Sequence, residues 1–404
     1  MKKTSFLVNI LFAVAMVSCN EVPEDVKSRT EEARTDIYAE AELEKISVNS
    51  LQTDTEAALQ GNYSQFKLRD GIKVEIPSEL YECSFVQAEG YEKKTNEVFS
   101  KLYDSDLLSK VKIEKSEWLE NPNSSGTKYK TTIVGFRSEE LKEHCFLHSS
   151  GFLCFIRPDA FDNQCLEICK AIYFADRGDD LSDRYELNGG TVSIAEAINT
   201  AQKWVDEKYA YLEPQYTFKV KDVVVRSNEF GEISLDVDVE KCYKGVHLDS
   251  AVNQTEDSKN GLKMKYVTNT LMLQIRKPNE ICYFTNGSGM ILPTETEKLD
   301  KVISLSSILP YLTKKFADFS QTMKISEISL KYTLSPQYDY ENFEMFFHPG
   351  NEVKSKLVWE ILFDVPVEGR PDSHREEGRL VKYIQIDAKT GELEYDFDPY
   401  GNGV

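Results

Sequence analysis

Two stretches of the chain, Thr191 to Leu292 and Val302 to Phe397, repeat one pattern, and a duplicated pattern constrains the fold more than any single motif does. Each opens with a serine ahead of a helix. Ile194, Ala197, Ile198, Ala201 and Val205 follow Ser193, and Leu305, Ile308, Leu309, Leu312 and Phe316 follow Ser304 at matching offsets. This spacing puts one apolar stripe on each helix. Ser193 and Glu196 form a capping box, in which each side chain satisfies a backbone donor that the first turn leaves open. The second copy has Ser307 in place of the glutamate and carries Pro310, so its helix is expected to start late, near Ser306 or Ser307, or to kink.

Strands follow each helix. Ile233, Leu235, Val237 and Val239 alternate with Ser234, Asp236, Asp238 and Glu240; Leu393, Tyr395 and Phe397 alternate with Glu392, Glu394 and Asp396. Such strands have one apolar and one acidic face. A helix laid on the apolar face of an antiparallel sheet buries both apolar surfaces and leaves the acidic face in solvent. The fold class expected is therefore α+β: antiparallel sheets with one helix on a face, in two tandem units, 191–292 and 302–397, preceded by a mixed α+β domain over 62–187. Asp236, Asp238 and Glu240 become the candidate partner-binding surface, since two acidic faces in series suit a basic segment.

Both copies close in a glycine-turn hairpin, at Asn286-Gly287-Ser288-Gly289 and at Asp387 to Gly391. The capped helix Ser193-Ile194-Ala195-Glu196-Ala197, the strands after it and the closing segment Ile384 to Gly391 resemble the PepSY module. Tyr243-Lys244-Gly245-Val246 is similar to a segment of the related YycH and YycI regulators of sensor kinases. The resemblance covers roughly the last half of the chain and implies an extracytoplasmic regulator or binding protein.

The start of the chain bears on location. Lys2 and Lys3 precede an apolar run from Phe6 to Val17, too short to span a bilayer, and Ser18-Cys19 ends it. Residues 1–18 resemble a bacterial lipoprotein signal, in which the cysteine at the position of Cys19 becomes the lipid-modified first residue; Met16 departs from the usual leucine. The partner this implies is the membrane, reached through the lipid. Residues 19–61 read as an acidic flexible tether, because Asn20 to Gly61 holds 11 acidic and 4 basic residues. A net charge of −20 excludes nucleic-acid binding, which needs clustered Lys and Arg to replace counterions.

Of the eight cysteines, seven remain once Cys19 is assigned to lipid, so at least one thiol stays unpaired. Cys145 and Cys154 flank Ser149-Ser150-Gly151 and would face each other across a hairpin with a two-residue loop, which makes them the candidate disulfide; a shift of one residue in register would separate them. Cys165 and Cys169 are expected on a helix from Asn163 to Phe174, and another helix is expected from Lys94 to Lys110. His144 and His148 read as one face of a strand, about 13 Å apart and too far to share a metal. Ser64 to Lys67, Ser109 to Lys112 and Lys389-Thr390-Gly391 match pieces of the penicillin-recognising signature, but the last is already a hairpin turn.

No catalytic residue, metal or cofactor is therefore assigned. The reading is a lipid-anchored, extracytoplasmic, non-catalytic protein that binds or regulates an envelope protein or peptide. Its alternatives are an envelope hydrolase with a dispersed active site and a small-molecule or glycan binder using Tyr338, Tyr340, Phe343, Phe346 and Phe347.

Overall fold

The computed structural model describes residues 43–120, 129–158, 168–175, 178–249, 252–257, 261–266, 270–287, 289–317, 322–336, 352–366 and 379–395. In chain order, β1 (Lys45–Ser47) leads into α1 (Leu51–Leu59), β2 (Phe66–Leu68) and β3 (Leu80–Gln87). Then come α2 (Thr95–Leu102), α3 (Ser105–Lys110), β4 (Glu114–Glu120), β5 (Tyr129–Ser138), β6 (Glu143–His148) and β7 (Leu153–Ile156). β8 (Ile168–Phe174), β9 (Arg184–Leu187) and β10 (Gly190–Ser193) precede α4 (Ile194–Lys208), which is followed by β11 (Tyr216–Ser227), β12 (Ile233–Tyr243) and β13 (Val246–Asp249). After the hairpin of β14 (Val252–Asp257) and β15 (Gly261–Tyr266) lie β16 (Leu271–Lys277), β17 (Glu280–Thr285), β18 (Ile291–Leu299) and β19 (Lys301–Ile303). α5 (Leu305–Lys315), β20 (Met323–Pro336), β21 (Glu352–Pro366), β22 (Arg379–Asp387) and β23 (Leu393–Tyr395) complete the order.

The fold is α+β, mostly antiparallel sheet with few helices. One antiparallel run goes β4-β5-β6-β7-β17-β16-β12-β11-β8. A second goes β20-β21-β22-β23, with β2 and β13 both parallel to the outer edge of β20, and β3 lying between β21 and β18. β12 and β13 form a tight hairpin through Lys244 and Gly245, both at positive φ, and so join the two runs into one branched sheet. The expected boundaries near 187 and 292 do not interrupt hydrogen bonding: β7 and β8 pair with β17 and β11, and β3 pairs with β18.

The two long helices behave as their stripes require. Ile194, Ala197, Ala201 and Val205 of α4 are buried, with Ile198 partly so, and the capping box at Ser193 and Glu196 is formed. Leu305, Ile308, Leu309, Leu312 and Phe316 are all buried. α5 does not start late. Ser304 caps it, accepting from the Ser307 N–H at 3.3 Å, and Pro310 lies inside the helix. Asp54, from far upstream, completes this cap: its carboxylate accepts from Ser304 Oγ at 2.8 Å and from the Ser306 N–H at 3.3 Å, placing negative charge at the helix N-terminus.

Asp54 belongs to α1, so the tether expected over residues 19–61 is folded from Lys45 onward. β1 pairs with β19, and Leu51, Thr55 and Ala58 are buried, with α1 packed on α5. Two expected helices also change. That over Lys94 to Lys110 breaks at the extended Tyr103, because Asp104 starts a new cap by accepting from the Leu107 N–H at 2.8 Å and Tyr103 is buried in edge-on contact with Phe136. The described part of Asn163 to Phe174 is strand β8, where Ile168, Ile172, Tyr173 and Phe174 favour a pleated surface over a helix.

The core lies between the helices and the sheet. Trp359, fully buried, donates its indole N–H to the Ile303 carbonyl at 2.9 Å, so its polar end is satisfied where its ring is packed. Phe66 and Phe316 both meet Phe363 edge-on, at 6.2 and 5.7 Å between centroids, which ties β2 and α5 to β21.

Candidate functional site

The alternation on β12 places Leu235, Val237 and Val239 beneath α4, all fully buried. The opposite face carries Asp236, Asp238 and Glu240, as the pattern requires, but it is not a solvated acidic surface. Asp236 is 6% exposed, and the Glu240 side chain 14%. The expectation that these three form an open partner-binding face is therefore corrected: cations from neighbouring strands occupy it.

Asp236 Oδ2 lies 2.6 Å from Arg226 Nε on β11, and its Oδ1 accepts from Gln274 Nε2 on β16 at 3.0 Å. Burial pushes the Asp236 carboxyl up, against the pull of Gln274 and Arg226. Glu240 lies 2.8 Å from Lys221 Nζ and 2.6 Å from His247 Nδ1. Burial works against its charge, yet Lys221 and His247 hold it well below the usual carboxylate range. Burial likewise opposes the charge on His247, but its bonds to Cys242 and Glu240 push it up to about 10, so it is an imidazolium at neutral pH. Asp238 has Asp222 directly across the ladder, and burial together with that neighbour pushes its carboxyl up to about 7.

The ribbon continues across the junction. His247 stands beside Lys331 in the parallel pairing of β13 and β20, and Lys331 Nζ lies 2.6 Å from Glu360 Oε1 on β21, whose Oε2 accepts from Gln385 Nε2 on β22 at 2.8 Å. Charged and amide side chains thus cross the sheet on the face away from α4 and α5, each answering a group on the next strand. The alternation shows that one face is polar; only the pairing of distant strands shows what answers it.

The sequence reading missed a second buried pair on the other face. Lys241 continues the apolar register of β12 and is fully buried, with Nζ 2.7 Å from Glu213 Oε2, also fully buried. Tyr209 donates to the same Glu213 oxygen at 2.6 Å, and Asn286 donates to Tyr209 at 2.9 Å while accepting from the Leu153 N–H at 2.9 Å. The pair therefore links the end of α4 to the β6–β7 and β17–β18 turns. A lysine at a core-facing register position was the one signal available.

Two constellations resemble catalytic ones, and geometry lowers both. Cys242 Sγ is 3.4 Å from His247 Nδ1, but Glu240 uses that same nitrogen, whereas an oriented nucleophile and base need the two ring nitrogens separately. His148 Nδ1 lies 2.7 Å from Ser150 Oγ, a distance suited to a serine and its base, but it also receives the Ser150 N–H at 3.0 Å. Ser150 is 3% exposed, and its carbonyl and hydroxyl crowd Gly289.

Cys145 and Cys154 are both free and buried. The loop between β6 and β7 spans Ser149 to Phe152, which sets Leu147 against Leu153 and therefore Cys145 against Phe155 and Cys154 against Phe146. The two thiols point to opposite faces of the hairpin, and the expected disulfide is not formed. Lys389-Thr390-Gly391 sits in the turn after β22, where Asp387 accepts from the N–H groups of Lys389 and Thr390 at 2.8 Å each. Glu392 is exposed. Cys19, Cys165, Asp396, the side chain of Glu394 and the aromatic group 338–347 lie outside the described residues. Among the described residues no three His, Cys, Asp or Glu side chains converge to hold a metal, and no helix is long and apolar enough to cross a membrane.

No family model and no curated protein matches the chain. Its fold is similar to that of an uncharacterized protein from Eubacterium rectale ATCC 33656, known from a crystal structure at 1.45 Å, with 16% identity and a TM-score of 0.53 over 86% of this chain and 99% of the other. At that identity the likeness concerns the fold alone.

Proposed function

We propose that this chain is a lipid-anchored extracytoplasmic protein that binds an envelope protein or peptide and carries out no reaction of its own. The observation that carries the reading is the state of the ionisable groups: Arg226 with Asp236, Lys221 and His247 with Glu240, and Lys331 with Glu360 answer one another across strands, which suits a rigid scaffold. A reacting centre instead presents a nucleophile and base to open space. The anchor rests on the signal-like residues 1–18 and on Cys19.

The tandem PepSY-like reading draws on the order of elements. α4 is followed by the antiparallel series β11-β12-β16-β17 and α5 by β20-β21-β22-β23, with β13, β14 and β15 as an insertion in the first. α2 and α3 precede a third such series, β4-β5-β6-β7.

Two experiments test the proposal. Wild type should label with a palmitate analogue and sediment with membranes, and Cys19→Ser should do neither; recovery of both in the soluble fraction ends the anchor claim. The purified chain should also resist fluorophosphonate and thiol-directed activity probes. Stoichiometric labelling that disappears in Ser150→Ala or Cys242→Ser would replace the binding reading with a hydrolase.

A further inference from the structure

Phe230 is 75% exposed, and the next most exposed large apolar side chain among the described residues, Ile113, is 40% exposed. A single apolar residue on a surface is ordinary. What distinguishes Phe230 is the turn that holds it, residues Asn228 to Glu232 at the tip of the β11–β12 hairpin. Asn228 is itself 5% exposed. Its Oδ1 accepts from the backbone N–H groups of Phe230 and Glu232 at 3.0 Å each, and its Nδ2 donates to Glu232 Oε2 at 2.8 Å. Arg276 on β16 fixes the same oxygen at 2.7 Å. Gly231 takes φ 78°, a conformation strained for any residue with a Cβ.

The loop of Glu229, Phe230 and Gly231 is closed by Gly231 N–H on the Asn228 carbonyl and Asn228 N–H on the Glu232 carbonyl, a three-residue hairpin in which a left-handed glycine is usual. To those bonds the tip adds a buried asparagine side chain and an ion pair from a neighbouring strand, which order the backbone that carries the outward aromatic ring. Aromatic anchors dominate the affinity of protein interfaces, and an anchor that is already ordered loses little entropy on docking.

We infer that Phe230 is the anchor of a protein–protein contact and enters an apolar pocket with a basic rim on the partner. The charge pattern selects this occupant. Glu229 beside the ring is exposed, Glu232 is already paired with Arg276, and the chain as a whole carries −20, so an anionic bilayer surface is repelled while Lys and Arg around a pocket are attracted. The inference rests on the binding reading above and names its contact surface.

The test places the photo-crosslinking residue p-benzoylphenylalanine at position 230 of the full chain in producing cells, with Lys203 and Lys110, both exposed, as control positions. A discrete product should form at 230 above the controls. The crosslinked protein is then identified, purified and titrated against the chain. Phe230→Ala should weaken binding at least tenfold, Phe230→Trp should retain it, and Asn228→Ala should weaken it severalfold by loosening the turn. Association should slow as salt is raised. Crosslinks to lipid alone, or an identified partner that binds Phe230→Ala as tightly as wild type, overturn the inference. Crosslinking at a control position but not at 230 removes the anchor and leaves the binding reading; crosslinking at no position removes both.

Discussion

Asp222 on β11 and Asp238 on β12 stand directly opposite each other in the antiparallel ladder, two carboxyl groups on a face largely closed to solvent. Burial and this neighbour raise Asp238 to about 7. A carboxyl raised on folding stabilises the fold fully below its unfolded value near 4, and the contribution is lost as pH rises through about 7. Asp238→Asn should therefore unfold like wild type at pH 4 and be more stable at pH 8, by up to about 4 kcal/mol. Urea denaturation at the two pH values checks this, and equal shifts at both would contradict it.

His247 gives the basic limb. Its folded value of about 10 exceeds the ordinary value of 6.5, so the pair with Glu240 stabilises fully below pH 6.5 and fades as pH rises through about 10. His247→Gln should cost stability at pH 6 and nothing at pH 11, which thermal unfolding across that range can follow.

Lys241 and Glu213 are the costliest place to remove one charge. Lys241→Met should destabilise by about 3–5 kcal/mol, because Glu213 is left buried without its cation, and the double variant Lys241→Met with Glu213→Gln should recover much of the loss. A double variant no better than the single would mean that Tyr209 and Asn286 depend on the charge itself.

Asp54→Ala should cost about 1 kcal/mol, since it removes both the acceptor for Ser304 and Ser306 and the negative charge at the start of α5. Chevron analysis or equilibrium unfolding would measure this. A neutral result would show that Ser304 caps the helix unaided.

Cys145 and Cys154 should both react with a thiol reagent only after unfolding. Each is buried, and burial raises both thiols, Cys154 to about 12. Peptide mapping without reductant should find no link between them.

The parts of this fold that depend on neighbours in sequence were legible. Ser193, Glu196 and the stripe from Ile194 to Val205 define a helix within one segment, and the alternation from Ile233 to Glu240 assigns each side chain to a face. What covers a face is set by residues far away. Arg226, Gln274 and Lys221 answer the β12 carboxylates only after β11 and β16 pair with it, and Asp54 reaches Ser304 across most of the chain. Cys145 and Cys154 failed for a third reason, since one residue of loop length decides which side chains share a face. The charge count that marked Asn20 to Gly61 as tether averaged over Leu51, Thr55 and Ala58, which carry the buried side of α1.

The pairing of β1 with β19 has a mechanical meaning. Leu43 and Glu44 lead directly into this pairing, so a pull on the chain ahead of Leu43 enters the fold at β1 and not beyond Gly61. That pull is delivered to Glu44, whose carbonyl holds the Ser304 N–H at 2.8 Å, and from there to the root of α5 and the Ile303 carbonyl that Trp359 grips. Tension applied ahead of β1 therefore loads the C-terminal half of the molecule first, although that half is the most distant from β1 along the chain.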